Sequence, residues 1–131
     1  MFTIEKIESA EQKVKSGADF PKFVAELKEM GVTRSDVYVM NGMTIYFGSD
    51  NYTVEGAPAY ESLLIEEHSD AAELKAALKT HQQGETDYQT FCRQAAGAGV
   101  EKWITDFLEM TVTYLDMHGN ELIIENIPEI N

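Results

Sequence analysis

THQQGETDYQTFCRQAAGAGVEKW, residues Thr80–Trp103, decides the reading of this chain. It carries the end of one helix, a polar break, a whole second helix and the approach to a strand. Leu74, Ala77, Leu78 and His81 share one face before the break at Gly84, and Tyr88, Phe91, Cys92, Ala95 and Ala98 share one face after it. Both sets recur at the spacing of an amphipathic helix. Asp70 with Glu73, and Thr86 with Gln89, have the spacing of capping boxes, in which two side chains satisfy the free N–H groups of a helix start. Past Gly99 the pattern changes. Trp103–Phe107, Met110–Asp116 and Glu121–Glu125 are expected to be strands, with His118-Gly119-Asn120 turning between the last two.

Working outward, the first half shows the same order of elements. A helix is expected after the N-cap Thr3, with Ile4, Ile7, Ala10 and Val14 on its apolar stripe and Ser16-Gly17 at its end. Asp19 is expected to cap a second helix that tolerates Pro21 in its first turn, buries Phe20, Phe23, Val24, Leu27 and Met30, and stops at Gly31. Ser35–Met40 and Met43–Phe47 read as strands around Asn41-Gly42, a pair suited to a type I′ hairpin turn. Tyr52–Glu55 reads as a short third strand, and Ser62–Glu66 is ambiguous between strand and helix.

Sliding the sequence by 68 positions without gaps superimposes these patterns. Asp19 meets Asp87, Phe20 meets Tyr88, Phe23 meets Phe91, Gly31-Val32 meets Gly99-Val100, Arg34 meets Lys102 and Tyr46 meets Tyr114. The fold expected is α+β: two similar α-α-β-β-β halves, about 1–68 and 69–131, with an antiparallel sheet packed against helices. A length of 131 residues suits one domain that buries its own core. Two such halves can bury their apolar faces around a pseudo-twofold axis, and a homodimer follows the same logic.

The segment from His81 to Trp103, followed by MTVTYLD, GNE and the closing Glu-Asn-Ile-Pro, resembles the YbcV-like family of small bacterial proteins. Members of that family are often labelled "phage envelope protein". The resemblance implies a phage-related role and brings no catalytic residues.

Composition narrows the function further. Acids outnumber bases by 23 to 10, a net charge of −13, which disfavours nucleic acid because phosphate neutralisation needs Lys and Arg. Neither Lys nor Arg occurs between Arg34 and Lys75, or after Lys102. A basic protein partner is therefore expected at the strand-bearing surface, with Asp50, Tyr52, Glu55 and Glu121 as the contact residues. The opening MFTIEKIESAEQK lacks the apolar core of a signal peptide, and no apolar run reaches the roughly 20 residues that span a bilayer, so a cytoplasmic location without membrane contact is expected.

Catalytic motifs are sparse. A glycine-rich phosphate loop, a serine elbow and HExxH are all missing, and no catalytic residue, metal or cofactor is assigned. Cys92 lies on an apolar stripe beyond the first turn of its helix, so a buried, inert thiol is expected. Asp116, His118, Asn120 and Glu121 suit a hairpin turn better than a metal site. The alternative to an interaction module is a small-molecule-binding protein or minor enzyme with its site at the junction of two helix ends, formed by His81, Gln82, Thr86 and Asp87.

Overall fold

The computed structural model describes residues 1–129. Four helices, α1 (Ile4–Glu11), α2 (Phe20–Met30), α3 (Ala71–Gln82) and α4 (Tyr88–Gly97), accompany six strands. These are β1 (Arg34–Tyr38), β2 (Met43–Phe47), β3 (Thr53–Glu55), β4 (Val100–Asp106), β5 (Thr111–Asp116) and β6 (Glu121–Asn126). All ladders are antiparallel and form one sheet in the order β3-β2-β1-β4-β5-β6. The class is α+β, and the order α-α-β-β-β runs twice along the chain.

The ladders keep the 68-residue spacing. Arg34 pairs with Phe47 across β1 and β2, and Lys102 pairs with Leu115 across β4 and β5, each residue 68 positions beyond its counterpart. At the seam between β1 and β4, Asp36 pairs with Ile104, its own counterpart. A twofold axis normal to the sheet through that pair would map one register onto the other.

Burial explains which strand residues face the helices. The core takes Val37, Tyr46, Trp103, Val112 and Tyr114 from the strands: Val37, Trp103 and Tyr114 form one row, and Tyr46 and Val112 share another with Ser35 and Thr105, all on one face. Against them pack Ile7 of α1, Val24 and Leu27 of α2, Leu74 and Leu78 of α3, and Phe91 and Ala95 of α4. Trp103 sits amid rings, 5.6 Å from Phe91, 5.8 Å from Tyr114 and 6.3 Å from Tyr88 between centroids.

Local chemistry departs from expectation at several ends. The Asp70 carboxylate accepts the Glu73 N–H at 3.0 Å, as its spacing suggests, but the Asp70 N–H goes to the Ala98 carbonyl at 2.9 Å instead of the Glu73 side chain, so the box is half formed. At α4 the cap is Asp87, not Thr86: it accepts the Thr90 N–H at 2.7 Å. Thr86 instead turns its carbonyl and hydroxyl to His81. Asp19 makes no side-chain cap on α2; its carboxylate accepts the N–H groups of Lys15 and Ser16 and shapes the turn that precedes the helix.

The β1–β2 connection is longer than a two-residue hairpin. Val39 is drawn into the core and donates its N–H to the Glu101 carbonyl at 3.0 Å. The return is therefore delayed to Asn41-Gly42, where only Gly42 takes a positive φ, 72°. Residues 62–66 form neither helix nor strand. They bridge the β1 end to the α4 end through Leu63 N–H to the Met40 carbonyl and Glu66 N–H to the Ala96 carbonyl. Strand β4 starts at Val100, three residues before its expected start, because the chain leaves α4 through Gly99 at φ 84°. A Cβ on Gly99 would lie 2.7 Å from the Cα of Ser69.

Candidate interaction surface

The face of the sheet turned away from the helices is uncovered by any described element. Its side chains form three rows. One row reads Thr53, Phe47, Arg34, Asp106, Thr111 and Asn126 from β3 to β6. The middle row reads Glu55, Ile45, Asp36, Ile104, Thr113 and Ile124, and the third reads Met43, Tyr38, Lys102, Leu115 and Glu121. None of Tyr38, Met43, Ile45, Phe47, Ile104, Leu115 and Ile124 belongs to the core or to the half-buried residues packed on it. Ile124 is 57% exposed. Alternation forces this: when one face of a strand fills the core, every second side chain points the other way.

Charge on this face is arranged around the seam. Arg34 donates twice to the Asp36 carboxylate, Nε to Oδ1 and an Nη to Oδ2, both at 2.8 Å, in a fork-to-fork pair. That hydrogen bond holds the guanidinium above its ordinary pKa, and Asp36 is buried beneath it. Arg34 also lies 5.0 Å from the Phe47 ring centre, and the Lys102 ammonium lies 5.6 Å from that of Tyr38. Two cations, Arg34 and Lys102, thus stand among four carboxylates, Asp36, Asp106, Glu55 and Glu121, whereas the whole chain holds 10 bases against 23 acids.

Of the four residues expected to meet a partner, only Glu55 and Glu121 lie on this face. Glu55 is exposed on β3 and Glu121 on β6, at opposite edges of the sheet. Asp50 is exposed in the turn before β3 with φ 57°. Tyr52 is directed elsewhere: its hydroxyl donates to the Phe2 carbonyl at 2.6 Å and its ring stands edge-on to Phe2 at 4.9 Å. The apolar stripe between the edges was the part that sequence reading missed. Its signal was present, since Ile45, Ile104 and Ile124 have the wrong parity for the core.

The structure places His81, Thr86 and Asp87 close together, in a local hydrogen-bonded cluster. His81 Nδ1 lies 3.1 Å from the Thr86 carbonyl and 3.3 Å from its hydroxyl, and the ring stacks on Phe91 at 4.8 Å. Burial lowers the imidazole pKa, against an opposing pull from the Thr86 hydrogen bond and Asp87. Gly17 backs the ring so closely that a Cβ there would lie 2.6 Å from the His81 carbonyl oxygen. Gln82 points away and donates to the Glu125 carboxylate of β6 at 3.1 and 3.2 Å.

Cys92 is fully buried, and burial raises its thiol pKa while the nearby hydroxyls of Tyr60 and Tyr88 pull it down. The Asp116 carboxylate is saturated within its turn, accepting from the His118 and Asn120 N–H groups, the Asn120 amide and the Ser69 hydroxyl. Those bonds hold its pKa at about 2. No group of three His, Cys, Asp or Glu gathers to hold a metal among the described residues. An open cleft of about 420 Å³ lies between α1 and β2, lined in part by Glu8, Glu11, Thr44 and Tyr46. Burial and then the charge of Glu8 raise the Glu11 pKa there.

Comparison with known proteins places this architecture. Residues 8–126 match the family described as "Protein of unknown function (DUF1398)". The chain belongs to that family. A DUF1398 match of this extent takes in all six strands and all helices but the first turn of α1. The chain is 28% identical over 101 residues to uncharacterized proteins of Mycobacterium bovis and Mycobacterium tuberculosis, covering 76% of this chain and 61% of the mycobacterial proteins. It is 23% identical over 116 residues to the uncharacterized protein YcgX of Escherichia coli, covering 88% of this chain and 87% of that one. The DUF1398 description is coarser than the YbcV-like resemblance and prints no phage or envelope role. No helix among the described residues is long and apolar enough to cross a membrane.

Proposed function

We propose that this DUF1398 chain is a non-enzymatic protein-interaction module whose binding surface is the open face of the sheet. The observation that carries this reading is the set of seven apolar side chains on that face, outside the core and under no covering element. A contiguous apolar patch on a small protein marks a contact surface. Its apolar groups are interleaved with placed charges, Arg34, Asp36, Asp106 and Lys102 at the seam and Glu55 and Glu121 at the edges, a mixed surface of the kind that non-obligate protein contacts use. The partner that fits presents apolar groups among placed charges, with cations opposite Asp106 and the rim acids Glu55 and Glu121. The expected basic partner thereby narrows to one with placed basic groups. Phosphate is a poor fit, since four carboxylates surround the two cations.

Ile104→Lys tests this reading, because Ile104 lies on the open face and has no core contact to lose. Immobilised wild-type protein should capture from its host lysate a protein that the variant does not. Once purified, that protein should bind wild type at least tenfold more tightly than the variant, and less tightly as salt rises. Equal capture and equal affinity for the two forms would overturn the proposal.

A further inference from the structure

We infer that the occupant of the open face is a second copy of this chain, packed sheet against sheet; the inference rests on reading that face as an interaction surface. The ladders fix what lies across the seam. In each row, β1 and β4 carry unlike groups: Arg34 beside Asp106, and Tyr38 beside Lys102. Consider a twofold axis lying in the plane between two facing sheets, parallel to the strands and centred on the seam. It sets β1 of one copy over β4 of the other with rows in register. Arg34 then faces Asp106 of the second copy, and Tyr38 faces Lys102 of the second copy, each contact occurring twice.

One strand further out on the same pattern, Met43 faces Leu115 of the second copy, Ile45 faces Thr113 and Phe47 faces Thr111. The face is therefore complementary to itself in charge and in the cation–aromatic pairing it already uses within one chain. Asp36 faces Ile104 of the second copy, with its charge already matched by Arg34. Glu55 and Glu121 fall at opposite edges, on the polar rim of the pair, where Glu55 faces Ile124 of the second copy. The like charge of the two chains is concentrated off this face.

Size agrees. Six strands about 4.8 Å apart and three rows about 6.8 Å apart give a face of roughly 24 by 14 Å between side-chain centres. With side-chain breadth this is on the order of 500 Å² per copy and 1,000 Å² in the pair, the lower bound for a specific contact.

Sedimentation equilibrium of the purified full chain at about 100 μM tests the inference. The expected mass is twice the 14.7 kDa of one chain. Ile104→Lys should raise the dissociation constant at least tenfold while far-UV circular dichroism and the unfolding midpoint stay near wild type. Asp106→Asn, which keeps a side-chain acceptor for the N–H groups of Leu108 and Glu109, should weaken the dimer several-fold and flatten its salt dependence. A monomeric wild type overturns the second-copy inference; the lysate experiment then still decides whether the face binds another protein. A dimer indifferent to both Ile104→Lys and Leu115→Lys also overturns it.

Discussion

His81 shows how a side chain can look like a site and serve as a joint. Its ring is stacked on Phe91, backed by Gly17 and hydrogen-bonded to Thr86. Burial lowers its pKa below the ordinary 6.5, so the folded state binds fewer protons than the unfolded chain between the lowered value and 6.5. The sign follows: this contribution is complete above pH 6.5 and is lost as pH falls below it. Unfolding free energy measured in urea should rise as pH climbs toward 6.5 from below and level off above it. His81→Gln should remove that rise. A slope unchanged in the variant would assign it to other groups.

At the scale of elements, close approach matters more than propensity. Gly17 admits the α3 end because it has no side chain, and an added Cβ would meet the His81 backbone at 2.6 Å. Gly17→Ala should therefore cost about 1–3 kcal/mol by chemical denaturation, as overpacking does. Gly97, the last residue of α4, is the contrast. A Cβ there meets only the Glu73 carboxylate at 3.9 Å, and Gly97→Ala should be neutral or stabilise by about 0.5–1 kcal/mol. Equal losses at both positions would show that contact distance is not the cause. The elements themselves were legible where periodicity was long, as in α2, α3 and α4, and where strands alternated, as in β5. Ends were not legible when tertiary partners set them. Thr86 lost its cap to Asp87 because His81 claims it, and the β1 hairpin lengthened because Val39 pairs with Glu101. The candidate surface was half legible: Glu55 and Glu121 could be named as exposed acids, but their separation by the whole width of the sheet needs the strand order.

For the molecule as a whole, one sheet and one hydrophobic cluster draw on both halves of the chain. Val24 and Leu27 from the first half share that cluster with Leu74 and Phe91 from the second. We propose that residues 1–131 fold as a single domain, so heat should unfold the chain in one transition with equal calorimetric and van't Hoff enthalpies. Two resolved transitions would mean that the halves fold independently.

The seam between β1 and β4 also governs the path by which the chain reaches this state. Every other ladder joins strands consecutive in sequence, whereas the seam brings Tyr38 to Lys102. Each three-stranded meander can therefore form from local contacts, while the seam waits for a long loop to close. That makes the union of the meanders the slow event. Stopped-flow refolding should be slowed by Val37→Ala at the seam and barely altered by Ile123→Ala on β6, which should instead speed unfolding. A chain assembled this way also spends its waiting time as two half-sheets with open edges, so crowding many chains together during refolding favours the union of half-sheets from different molecules.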